Sequence, residues 1–173
     1  MSEKLPSLID PLILAERRSM LAGAIHIAGF ERLSDIVIDD GGAVQIELLF
    51  AKEGKQAVVT GKITAVLRIV CQSCLETMPW PLDIDFKLGV VASLPEAERL
   101  TIDCEPLLFN GEKLSLNALI EDEILLTLPD YPKHEYVCIK RSSSRTNDYD
   151  EQRNPVKTEN PFAVLAKLKN TGE

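Results

Sequence analysis

Three stretches alternate apolar and polar residues for long enough to fix the kind of architecture the chain can adopt. In LDIDFKLGV, Leu82, Ile84, Phe86, Leu88 and Val90 fall on one side, and Asp83, Asp85 and Lys87 on the other. GAVQIELLFA sets Val44, Ile46, Leu48 and Phe50 against Gln45 and Glu47, and AVVTGKITAVLRIVC carries Val59, Ile63, Ala65, Leu67 and Ile69 on one face. A period of two belongs to a strand with one wet face and one buried face. Gly61 interrupts the third run and is read as a bulge. AGAIHIAGF and LTIDC bring the count of expected strands to five. Short turns between successive strands favour antiparallel pairing over parallel crossovers. The fold class is therefore α+β: a twisted antiparallel β-sheet, open or barrel-like, covered by a few helices. Alternation fixes faces and leaves strand order and closure undecided.

Other segments change period. DPLILAERRSML offers Asp10 as an N-cap and Pro11 at the first helical position, where its missing N–H is harmless. SLNALIEDEILLTLP places Leu116, Leu119, Ile120, Ile124 and Leu128 on one helical stripe, with Ser115 as cap and Pro129 as stop. This helix is expected to roof the sheet. RSSSRTNDYDEQRNPVKTE has almost no apolar side chains to offset its ordering entropy and reads as a flexible linker. NPFAVLAKLK restarts a helix at Asn160 and Pro161, bearing Phe162, Val164, Leu165 and Leu168. The expected organisation is one α+β domain over 1–140, a polar linker over 141–159 and a short C-terminal docking helix over 160–173. The last would dock on its own body or on a partner. A length of 173 residues with 45% apolar composition supports one sizeable core.

Charge and patterning narrow the function. A formal charge of −8 argues against a non-specific grip on nucleic-acid phosphates, which needs clustered Lys and Arg. Lys62 and Arg68, on one strand face, leave room for a local RNA contact. No apolar run approaches the roughly 20 residues of a membrane span, and the N-terminus lacks the basic-then-apolar order of a signal peptide. A cytoplasmic protein is expected. Four cysteines are too few for a disulfide scaffold.

The chemistry concentrates in RIVCQSCLETMPWPL and YPKHEYVC. Cys71 and Cys74 fall at the turn between two strands, where a CxxC can aim both sulfurs at one point. His134 and Cys138 follow the helix-ending proline and would complete a tetrahedral, closed zinc site if the fold brings the two pairs together. The spacing permits one structural zinc ion without demanding it; free thiols or packed cysteines are the other reading. A catalytic dithiol normally sits at a helix N-terminus, and the CQSC segment runs into a strand instead. Cys104 reads as a small buried hydrophobe, and His26, opposite Ile25 and Ile27, as solvated.

In the acidic run EDE, Glu121 and Asp122 are expected to project away from the apolar stripe and to meet a partner, as are Phe162 and Leu165 of the terminal helix. Glu123 falls inside the stripe and is expected to be structural, paired with Arg17 or Arg18, because an unpaired buried charge is unfavourable.

The order CQSC, EDEILLTLP and terminal NPFAVLAKLK resembles the YceD family, the large ribosomal RNA subunit accumulation proteins of bacteria. The resemblance spans nearly the whole chain. It implies a non-enzymatic ribosome-biogenesis factor supporting accumulation or processing of large-subunit (23S) ribosomal RNA. Its partner would be a ribosomal protein or a pre-ribosomal ribonucleoprotein, with no small-molecule substrate. Many relatives carry further cysteines after the equivalent of Pro129, where this chain offers His134 and Cys138. Direct RNA binding and CxxC thiol chemistry are the rival readings.

Overall fold

In the computed structural model, which describes residues 5–38 and 41–139, the alternating runs become the middle of a five-stranded sheet. The chain enters through β1 (Leu8–Ile9) and α1 (Pro11–Glu16), then forms β2 (Met20–His26), β3 (Ala43–Glu53), β4 (Gln56–Val70) and β5 (Thr77–Val91). A short α2 (Leu94–Ala97) leads to β6 (Glu105–Leu108), and β7 (Leu114–Ser115) runs into α3 (Leu116–Thr127). The order β2-β3-β4-β5-β6 is open, with β2 and β6 at its edges, so the sheet does not close into a barrel. β2 through β5 pair antiparallel, as expected.

Two expectations about the sheet fail, each for a physical reason. LTIDC is not a strand: Cys104 N–H donates to Thr101 O at 3.0 Å in a turn, and Ile102 is fully exposed. Leu100 and Cys104 instead pack side by side against Gly89 of β5, which two anchors in a tight turn achieve as well as a strand would. The fifth strand is β6, and it pairs parallel to β5, Leu88 opposite Glu105 through Val91 opposite Leu108. The crossover through α2 supplies the length a parallel return needs. Gly61 is not a bulge either. It sits in unbroken register between Leu48 and Phe86, and the Phe86 ring lies where a Cβ would be, 2.1 Å from Cζ.

The sheet is one-sided. Val44, Ile46, Leu48, Phe50, Ile63, Leu67, Ile69, Ile84 and Leu88 form the inner face and join Leu116, Ile120 and Ile124 of α3 in one core. The outer face carries Glu47 and Lys62, flanked by Asp83 and Asp85, with Met20, Leu49 and Val66 exposed. α1 packs toward β3 and β4, whereas α3 packs toward β5.

The caps follow the sequence. Asp10 accepts from Leu12 and Ile13 N–H, and Ser115 Oγ from Ala118 N–H. Leu128 is extended (φ −68, ψ 136), the conformation a following proline imposes, and α3 ends there. The β1–β7 ladder, Leu8 to Ser115, ties the N-terminal segment to the start of α3. The expected linker over 141–159 and docking helix over 160–173, with Phe162 and Leu165, lie outside the described residues. Among the described residues no helix is long and apolar enough to cross a membrane.

Candidate metal centre

The tip of the β4–β5 hairpin is a six-residue knuckle built around Cys71. Cys71 N–H donates to Glu76 O and Leu75 N–H to Cys71 O, both at 2.9 Å. Leu75 takes a left-handed conformation (φ 63) to close the turn, an uncommon state for a branched residue. Ser73 N–H points at Cys71 Sγ from 3.4 Å. Beyond Pro129 the chain returns alongside this knuckle, and Gln72 N–H donates to Pro132 O at 2.8 Å. That contact delivers His134 and Cys138.

The four candidate ligands meet. Cys71 Sγ lies 3.8 Å from Cys138 Sγ, and Cys74 Sγ lies 3.5 Å from His134 Nδ1. All four donor atoms fall within 4.8 Å of one another. Zinc bonds of about 2.3 Å to sulfur and about 2.0 Å to nitrogen, arranged tetrahedrally, put sulfurs about 3.8 Å apart and sulfur about 3.5 Å from nitrogen. The Cys71–Cys138 and Cys74–His134 separations match those edges. Cys71 is buried and the other three are half-buried, with the His134 ring against Tyr136 at 4.7 Å.

Electrostatics agree with a cation at the centre. Burial pushes the Cys71 thiol up, but backbone N–H groups of Cys74, His134 and Ser73 outweigh it and bring the thiol down to about 6. Burial and the two neighbouring thiols push Cys138 up to about 11. A first thiolate thus discourages the second, a conflict that a divalent ion removes. The thiolate-rich donor set favours zinc. Cys71, Cys74, His134 and Cys138 would hold it, and such an ion would bind two distant chain segments into one corner.

Two of the acidic residues of α3 depart from expectation, Glu121 in its burial and Glu123 in its pairing. Glu121 is buried, 4% exposed, and faces inward. Its Oε1 accepts from Arg32 N–H at 2.7 Å and Leu33 N–H at 2.9 Å, and Oε2 from Arg32 Nε at 3.1 Å. Burial raises its pKa, but those donors outweigh it and hold the carboxyl below the usual range. It caps the 3-10 turn Leu33–Asp35 from across the fold, so it does not project away from the apolar stripe as expected. Arg32, which lies in a loop without periodicity, carried no sequence signal. Asp122 is exposed and bonds Arg32 Nη2 at 2.6 Å. Glu123 is buried as expected, but no ion pair with Arg17 or Arg18 forms among the described residues; those arginines follow α1, which packs over β3 and β4. Burial, with Glu105 and Asp122 nearby, pushes Glu123 up to about 7.

Of the remaining candidates, Cys104 is buried and His26 exposed, as expected. Lys62 is bracketed by Asp83 at 2.6 Å and Asp85 at 3.5 Å, so its charge is answered within the sheet. Arg68 stands on the same outer face.

Fold and site define a class: a one-sided β-sheet domain whose central hairpin meets the segment after its roofing helix at a cluster of three cysteines and a histidine. The family described as large ribosomal RNA subunit accumulation protein YceD matches residues 59–169, a span holding all four ligands. A protein of Haemophilus influenzae, named large ribosomal RNA subunit accumulation protein YceD, is 33% identical over 169 residues, covering 96% of this chain and 97% of that protein. The chain belongs to the YceD family. No solved structure matches it.

Proposed function

We propose that this chain is a non-enzymatic ribosome-biogenesis factor that supports accumulation or processing of large-subunit ribosomal RNA by binding a protein or ribonucleoprotein partner, with one structural zinc ion at Cys71, Cys74, His134 and Cys138. The carrying observation is that four side chains place one ligand atom each within 4.8 Å of one another, the number a closed tetrahedral site needs. A catalytic zinc keeps a position open for water or substrate, and a set closed by the protein is of the structural kind. A net charge of −8 and the pairing of Lys62 with Asp83 and Asp85 favour a basic protein partner over bare phosphate. Family membership supports the ribosomal setting.

The test is affinity purification of the tagged full chain, with and without ribonuclease, followed by identification of proteins and RNA. Large-subunit precursors and at least one basic ribosomal protein should co-purify, the protein surviving ribonuclease. Loss of every partner on ribonuclease treatment would favour direct RNA contact, and absence of ribosomal material altogether would overturn the reading. Elemental analysis of chelator-free protein should find one zinc per chain.

A further inference from the structure

The cleft between α3 and β6 holds a carboxylate that nothing in the fold uses. Glu123 is only 8% exposed, and its carboxylate oxygens, which are not sealed in the core, look into an open cleft of about 730 Å³. No hydrogen bond or cation acts on its carboxyl group among the described residues; burial and the charges of Glu105 and Asp122 are what it feels. The charged groups facing the cleft are Glu105 from β6, Asp122 and Glu123 from α3, and Arg32 from the loop before the 3-10 turn. Arg32 is already committed to Glu121 at 3.1 Å and Asp122 at 2.6 Å. The walls are apolar, with Leu88, Leu107, Leu119 and Leu126 among them.

A desolvated carboxylate without a cation is unfavourable for the folded chain, which either protonates it or, where it stays ionised, pairs it with a charge arriving from outside. The walls select which charge. A bare divalent ion wants six or more oxygens, which leucines cannot supply. A lysine or arginine side chain has an aliphatic stem for the leucines and a cationic head for the carboxylate.

We propose that the α3–β6 cleft receives a lysine or arginine side chain of a basic protein partner, with Glu123 accepting its charge, Glu105 and Asp122 setting the field at the cleft and the leucines packing its stem. The identity of the partner class rests on the binding-factor reading above. The cleft chemistry is testable without ribosomal material, so the two fail separately.

The probe is a short peptide containing arginine and lysine, capped at both ends. Its control carries citrulline and norleucine at those positions, which keeps the stems and removes the charge. Binding to the isotope-labelled full chain is followed by NMR. The basic peptide should shift the Leu88, Leu107, Leu119 and Glu123 carboxyl signals, and the neutral peptide should not. Glu123→Gln should weaken binding at least about tenfold with an unchanged amide spectrum elsewhere, and Glu105→Gln should weaken it by a smaller factor. Wild-type affinity should rise from about pH 6 to about pH 8 as Glu123 ionises, and stay flat in Glu123→Gln. Equal binding by wild type and Glu123→Gln, or shifts confined to the outer sheet face around Asp83 and Asp85, would overturn the proposal. So would a rise in affinity of about tenfold on removing residues 160–173, which would make this chain's own terminal segment the occupant.

Discussion

Two glutamates on α3, two positions apart, meet opposite electrostatic fates. Glu121 finds two backbone N–H groups and a guanidinium, and Glu123 shares a cleft of leucines and other carboxylates with an Arg32 already paired elsewhere. The consequences for stability have opposite signs. The carboxyl of Glu121 is held below its unfolded value, so its contribution is present above that value and fades as pH falls through the folded one. The carboxyl of Glu123 is raised to about 7. Between its unfolded pKa and about 7 the folded state binds more protons than the unfolded state, and stability falls with rising pH. Glu123→Gln should therefore be more stable than wild type at pH 8, by about 1–3 kcal/mol after allowing for solvent screening, and equal to it near pH 4.5. Urea melts at the two pH values measure this. A gain independent of pH would mean that shape, not charge, distinguishes the two side chains. A variant that gains stability while losing peptide binding carries the signature of a residue kept for recognition. The sequence placed Glu123 inside the apolar stripe by helical spacing alone. It gave no warning that Glu121 turns inward, because that depends on Arg32, reached only through the tertiary fold.

At the scale of elements, the β4–β5 hairpin organises everything that follows. Its register is continuous from Val58 opposite Gly89 to Val70 opposite Thr77, and the Gly61–Phe86 pair is the close fit within it. A Cβ at position 61 would lie 2.1–2.6 Å from three ring atoms of Phe86, so Gly61→Ala should destabilise by about 1–3 kcal/mol through overpacking. Phe86→Leu in the Gly61→Ala background should recover most of that loss. A double-mutant cycle by thermal or urea unfolding tests it, and additive effects would show that the ring is not what the methyl meets. Alternation had identified the inner faces of β3, β4 and β5, since long period-two runs leave few alternatives. It could not identify β6, whose four residues alternate too briefly, nor its parallel direction, which is set by the crossover through α2. The caps Asp10 and Ser115 and the stop at Pro129 were legible because each acts through a local bond or a local steric rule.

At the scale of the described domain, the proposed zinc joins a part that the core holds to a part that it does not. Cys71 is fully buried at the end of β4, in the same core as Leu67 and Ile69. Residues 130–139 form neither helix nor strand, and their hold on the knuckle is Gln72 N–H on Pro132 O together with His134 and Cys138 at the ligand cluster. The two cysteine pairs were visible in the sequence as spacing, but their meeting was not, because it depends on where α3 delivers the chain. Metal-binding energy becomes folding energy for whatever the metal orders. Here that is the return segment and the knuckle, while the sheet keeps a large apolar core that owes nothing to the ion. Chelation should therefore open one corner and leave the rest closed, in contrast to a zinc finger that unfolds entire. In hydrogen exchange on the zinc-loaded full chain, a chelator should accelerate amides over 71–76 and 130–139 by about tenfold or more and leave those of Ile46, Ile63 and Ile84 within about twofold. Cys138→Ser should reproduce the pattern without chelator, because it removes one ligand from the half-buried side and spares the buried Cys71. Equal acceleration across the sheet would make the ion a support of the whole fold, and no acceleration anywhere would mean that the return segment is held by packing alone.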